Sequence, residues 1–253
     1  MRGVLAFAIA GTMCTAADTT QTLLQTVWDE LCQTPSNLTR EPVPTVAATT
    51  SVVAIVLWLS GADKAVREAA RTHRSPTADA LAQIGNTAGG LGPATALPLA
   101  LIVGGSIANS SHTVTSGRQL LQALAVAGAV TTALKVAVGR ARPFRNRGDS
   151  YLLPFRWNDD QWSFPSGHAT VAGTIAGVAF ARSNSTVLHV AASALALTIM
   201  GARVYSDKHW TSDVLMGATV GGCIGYALAR VPPLWRRCHL LPSSSGIQVA
   251  VEW

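Results

Sequence analysis

Apolar segments recur along this chain at roughly 46–60, 91–108, 119–138, 168–181, 187–202 and 214–229, and charged residues gather between them. None of the segments alternates apolar and polar residues as a half-buried strand does, and their β-branched residues are diluted by Ala and Gly. The expected fold is an all-α helical bundle of about six core helices. Only 13% of residues are charged, about half the ~25% typical of soluble domains, so the bundle is expected to be membrane-embedded. Several segments are marginal for the ~20 residues a span requires. Arg182 interrupts one, and Gln119, Gln122 and Lys135 lie in another. A soluble bundle that is hydrophobic all round is the alternative.

The flanks divide the chain. Met1, Arg2, the apolar run Val4 to Ala10 and the small residues before Asp18 have the layout of a secretory signal peptide over 1–17. Residues 18–45 are polar, carry Pro35, Pro42 and Pro44, and read as a linker. The bundle domain is expected over 46–231 and a C-terminal tail over 232–253. Between the first two apolar segments, Asp63 to Arg74 reads as a short amphipathic surface helix closed by Ser75-Pro76, with no chemistry assigned to it. Glycines at four-residue spacing, Gly173 and Gly177, then Gly217, Gly221 and Gly225, suit close helix packing. The net charge is +6, but the cations are thinly scattered, so no nucleic-acid partner is expected. The four Cys have no metal-ligand spacing.

Polar residues concentrate in three stretches. In the first, Lys135 and Arg142 are seven apart, two helical turns, and Pro143 puts Arg142 near a helix end. The second, Ser163-Phe164-Pro165-Ser166-Gly167-His168, opens a helix whose unpaired N–H groups attract an anion, and Gly167 lets an oxyanion come close. In the third, Arg203 precedes His209 and Asp213, which are four apart and share a helix face, as suits a carboxylate orienting an imidazole. Taken singly, each stretch has a bland reading: a snorkelling Lys, a helix cap, a surface hydrogen bond. Together they gather ionisable groups at consecutive ends of apolar helices, on one side of an up-down bundle, where such groups are functional by default.

The pattern Lys-x6-Arg-Pro, Pro-Ser-Gly-His, Arg-x5-His-x3-Asp resembles the type 2 phosphatidic acid phosphatase superfamily, which includes lipid phosphatases, bacterial acid phosphatases and vanadium haloperoxidases. The likeness covers roughly 46–231, and one position departs: Ala202 stands where the family often has Ser. The resemblance implies catalytic roles for His209 as nucleophile, His168 as general acid and base, and Asp213 as the partner of His209. It implies phosphate binding by Lys135, Arg142, Ser166, Gly167 and Arg203. The reaction implied is hydrolysis of a phosphomonoester or pyrophosphate through a phosphohistidine, on a phosphorylated lipid or isoprenoid. No carboxylate cluster is available to hold a metal, so neither metal nor cofactor is expected. A vanadate-dependent halide oxidant, a soluble periplasmic acid phosphatase and a non-catalytic binding protein are the other readings.

The loop 140–166 holds five Arg (Arg140, Arg142, Arg145, Arg147, Arg156) against three Asp, with Trp157 and Trp162, which suits an anionic headgroup at a membrane surface. The orientation signals conflict. A cleaved signal followed by three spans puts this loop inside, whereas the family's membrane members carry the site on the periplasmic or exterior face. The expectation is a bacterial-type inner-membrane protein with the site facing the periplasm.

Overall fold

A computed structural model describes residues 4–8, 25, 28–29, 32–231, 238–243 and 246–252. It divides into two units, residues 36–230 and a smaller unit from the two termini. In the smaller unit, β1 (Val4–Ala8), β2 (Cys238–Ser243) and β3 (Gly246–Glu252) form an antiparallel sheet in the order β1-β3-β2. Sequence periodicity did not anticipate these strands. The expected signal-cleavage region, Thr15 to Asp18, lies outside the described residues.

The larger unit is all helical apart from an isolated bridge between Arg140 and Leu152. Its helices are α1 (Val43–Leu59), α2 (Ala62–Thr72), α3 (Pro76–Ala88), α4 (Leu91–Ile107), α5 (Ser111–Val138), α6 (Gly167–Arg182), α7 (Thr186–Tyr205) and α8 (Thr211–Ala229). Six of them match the six expected core segments. The structure adds α3, and this revises the reading of Ser75-Pro76. Those residues open a helix instead of closing one: the Ser75 hydroxyl accepts from Ala78 N, with Pro76 at the first helical position. Ser110 and Ser185 cap α5 and α7 in the same way.

The size distribution of the side chains is inverted relative to a soluble core. The interior is built of small residues such as Ala123, Ala127, Ala169, Ala172 and Ala227, while Val52, Ile55 and Leu59 of α1, Val103 and Ile107 of α4, and Val187, Val190 and Leu197 of α7 face outward. Small residues inside and large apolar residues outside suit helices that pack by close approach in lipid. Among the described residues, three helices (α5, α7 and α8) are long and apolar enough to cross a membrane, or up to five spans if each bent helix pair counts as one. The bundle is membrane-embedded. At 28 residues, α5 is about 42 Å long, beyond the ~30 Å of a hydrocarbon core.

α8 is the hub, packed against α1, α5, α7 and most extensively α6. The glycine spacing explains this pairing. A Cβ at Gly173 would strike the Ala218 carbonyl, and one at Gly217 would strike the Ser166 carbonyl. The second contact sets the start of α8 directly on the start of α6, and so brings the second and third motifs together.

Candidate active site

The third motif folds as the bend between α7 and α8. The N–H groups of Lys208 and His209 both turn back onto the Arg203 carbonyl, at 3.1 and 3.3 Å, so Arg203 and His209 are held as one piece. His209 is 3% exposed. Its Nδ1 lies 2.7 Å from the Ser163 carbonyl. A carbonyl only accepts, so Nδ1 carries the ring proton and Nε2 of the neutral ring is bare. Burial pushes this imidazole well below its usual 6.5, and the charges of Lys135, Arg142 and Arg203 push it further, against the pull of the Ser163 hydrogen bond. The same three charges show that the cations of the first and third motifs converge on His209.

The depressed value has a consequence for stability. Below about pH 6.5 the unfolded chain takes up a proton that the folded site refuses, so stability falls as pH drops through that window and is unaffected above it. The melting temperature is expected to fall more steeply between about pH 7 and 5 in the wild type than in His209→Gln. Parallel slopes would show that another group resists protonation.

Asp213 does not hydrogen-bond the imidazole directly, as its i,i+4 spacing had suggested. Its Oδ2 stands 3.9 Å from His209 Nδ1. Asp213 is the third residue of α8, and Oδ2 instead accepts Trp210 N at 2.8 Å, capping the helix, and the Ser163 hydroxyl at 2.5 Å. Its Oδ1 accepts Arg140 Nη1 at 2.6 Å. Asp213 therefore reaches His209 one residue removed, through Ser163.

Arg142 also sits differently. Gly139, at φ +59, ends α5 in the left-handed conformation, and Arg142 is extended. Lys135 and Arg142 thus do not share a helix face; the chain turns at Gly139 and carries Arg142 back toward the site. Arg142 donates to the Asp159 carbonyl at 2.8 Å and carboxylate at 2.6 Å. The Asp159 side chain is 74% exposed, and such a pair is weak enough for a phosphate to displace. Lys135 Nζ donates to the Trp162 carbonyl at 2.6 Å.

Three buried polar atoms of the motif stretches have no hydrogen-bond partner: Ser166 Oγ, Arg203 Nε and Thr211 Oγ1. The other end of the Arg203 guanidinium is anchored, Nη1 donating to Asn86 Oδ1 at 2.7 Å. The Asn86 backbone lies beside the imidazole of His168, second residue of α6. Ser166 Oγ, Arg203 Nε and the first N–H groups of α6 are donors of the kind a phosphoryl group satisfies. A Cβ at Gly167 would meet only Lys135 Cε, at 3.9 Å, so the approach to these donors is open.

Lys135, Gly167 and His168 form one end of a cavity of about 430 Å³. Its remaining wall includes Leu91, Leu121, Leu124 and Gly128, so it is apolar along α4 and α5 and cationic at one end. No group of three or more His, Cys, Asp or Glu is positioned to hold a metal ion among the described residues. The basic loop is largely consumed by pairing: Arg145 bonds Asp160 and Arg147 bonds the Tyr151 hydroxyl. Arg140 is wholly buried. Sequence reasoning did not mention Asn86, gave Asp63 and Ser163 no role of their own, and counted Arg140 among the loop cations facing a headgroup. The usable signal was an acidic residue, Asp63, opening a helix beside an apolar span.

Residues 116–237 match the profile of the PAP2 superfamily. That segment belongs to the type 2 phosphatidic acid phosphatase superfamily, whose three-part motif the chain carries. A lipid A 1-phosphatase of Rhizobium etli is 35% identical over 127 residues, 49% of this chain and 53% of that protein. An undecaprenyl-diphosphatase of Sulfolobus acidocaldarius is 29% identical over 97 residues, 38% and 46% of the two chains. The chain thus spans about half the length of the curated relatives it matches. The fold is shared with the crystal structure of a transmembrane PAP2-type phosphatidylglycerolphosphate phosphatase from Bacillus subtilis, with a TM-score of 0.56 at 22% identity, covering 73% of this chain and 92% of that one.

Proposed function

We propose that this protein is a metal-independent phosphatase acting on a phosphomonoester or pyrophosphate carried by a lipid or isoprenoid. The observation that carries this reading is a cavity with apolar walls and Lys135, Gly167 and His168 at one end. A chain fits the walls and a phosphate fits the end.

In the reaction, His209 Nε2 attacks phosphorus and an N–P bond forms as the P–O bond to the leaving group breaks. His168 gives a proton to the departing oxygen. Water then attacks the phosphohistidine, His168 takes the water proton, and the N–P bond breaks to release phosphate. Lys135, Arg142, Arg203, Ser166 and the α6 amides neutralise the equatorial oxygens as charge builds. Three cations serve here where other phosphoryl-transfer enzymes use Mg²⁺. Asp213 positions the third motif. The resemblance to membrane members of the family supports a site facing the periplasm or exterior, where lipid phosphates are exposed to water.

The test is phosphate release by purified protein in detergent from phosphatidate, phosphatidylglycerol phosphate, undecaprenyl pyrophosphate and lipid A phosphate, with and without EDTA. Activity on at least one, unchanged by EDTA and inhibited by vanadate, is expected. Halide oxidation with vanadate and no phosphate release would overturn it in favour of a haloperoxidase. Gly128 tests the cavity: a Cβ there meets nothing within 4 Å, so Gly128→Phe should fold. It is expected to raise KM about ten-fold or more on the long-chain substrate and to leave a short soluble phosphomonoester unaffected. Equal effects on both would show that the chain lies elsewhere.

A further inference from the structure

Behind the candidate nucleophile lies a buried charge cluster with no part in holding phosphate. Arg140 Nη2 donates to Asp63 Oδ2 at 2.9 Å, and Nη1 to Asp213 Oδ1 at 2.6 Å and Ser212 Oγ at 2.7 Å. Asp63 also accepts Ser212 N at 2.9 Å and Ser212 Oγ at 2.5 Å. The rings of Trp58 and Trp210 lie 4.7 and 5.5 Å from the guanidinium. From Asp213 the contacts continue: Oδ2 accepts Ser163 Oγ at 2.5 Å, and the Ser163 carbonyl accepts His209 Nδ1 at 2.7 Å. Ser163 N donates to the Arg140 carbonyl at 3.0 Å, so Ser163 is fixed by its amide, its hydroxyl and its carbonyl. Asp63, Arg140, Asp213, Ser163 and His209 are each between 0% and 3% exposed.

Burying two carboxylates and a guanidinium costs desolvation that apolar residues of similar volume would avoid, so the cluster is a poor device for stability alone. Its position is what gives it a use. The chain of contacts ends on the one atom that decides which imidazole nitrogen keeps the proton. The same Asp213 also accepts Ser166 N on its backbone carbonyl, at 3.0 Å, which sets the second motif against the third.

We propose that Asp63 and Arg140, acting through Asp213 and Ser163, are positioning residues for His209. They hold the Ser163 carbonyl where it keeps the ring proton on Nδ1 and leaves Nε2 bare toward phosphorus. The proposal rests on His209 being the nucleophile of the phosphatase reading. A carboxylate that fixes a histidine tautomer is worth about 10⁴ in kcat when it touches the ring directly. Here Arg140, Asp213 and Ser163 stand between Asp63 and the ring, and the expected loss is smaller, about 10- to 100-fold.

The experiment uses the full chain labelled with ¹⁵N at histidine and purified in detergent, as wild type, Asp63→Asn and Ser163→Ala. The ¹⁵N spectrum reports which nitrogen of His209 holds the proton and needs no turnover; kcat and KM are measured in parallel on p-nitrophenyl phosphate, per folded molecule. The expected result is an Nδ1–H tautomer in the wild type, a mixture in both variants, and kcat lowered with KM within about three-fold. A wild-type tautomer in both variants, or an unchanged kcat per folded molecule, would overturn the proposal. A wild type that releases no phosphate, with the tautomer still lost in Asp63→Asn, would leave the positioning role standing and overturn the phosphatase reading instead.

Discussion

His209→Ala is expected to lower kcat by about 10⁵- to 10⁶-fold, the scale on which covalent enzymes lose rate when the nucleophile is removed. It is also expected to leave no acid-labile phosphoenzyme. The reasoning starts from the ring's surroundings. Nδ1 is committed to the Ser163 carbonyl at 2.7 Å, so Nε2 is the atom left for chemistry, and burial together with three cations keeps the ring unprotonated. Because the ring is only 3% exposed, alanine leaves a cavity and lowers the melting temperature. His209→Asn serves as the second variant: its amide can still donate to Ser163 but cannot attack phosphorus. Both variants are compared with wild type by turnover on a soluble phosphomonoester and by acid-quenched labelling. Substantial activity in either, or a phosphoenzyme that survives in His209→Asn, would remove His209 from the mechanism.

What the sequence made legible follows from how local each signal is. The six apolar segments appear as helices because hydropathy over a window is a local property, and the second and third motifs meet because Gly217 and Gly173 let α8 and α6 touch along their starts. The short helix α3, with Gly85, Asn86 and Thr87, has too little apolar character to stand out, so Asn86, which anchors Arg203, was missed. The same-face argument for Lys135 and Arg142 assumed an unbroken helix, and one left-handed glycine defeats it. Arg140 read as a loop cation because its partner Asp63 is 77 residues away, and no spacing rule reaches that far. The i,i+4 relation of His209 and Asp213 put the two side by side but could not show that Ser163, from a third segment, stands between them.

Arg203→Lys is expected to lower kcat by about 10²- to 10³-fold while the protein still folds. Arg203 is 8% exposed. One corner of its guanidinium is pinned, Nη1 to Asn86 at 2.7 Å, and Nε has no partner. A planar fork held at one end and open at the other is preorganised to meet a phosphoryl oxygen as charge accumulates on it, and lysine supplies charge without that fork. The positive field at the site is preserved in the variant, so any loss measures geometry. Arg147→Ala is the control. Arg147 lies in the same basic loop, but it stacks on Tyr151 at 5.0 Å and bonds the Tyr151 hydroxyl at 2.7 Å, away from the motifs. It should cost little on a small soluble substrate. Measured side by side with a melting curve for each, a large kcat loss in Arg203→Lys and a near-wild-type Arg147→Ala are expected. Equal rates in the two variants would mean that the general positive charge of the loop, and not a defined phosphate site, accounts for these residues.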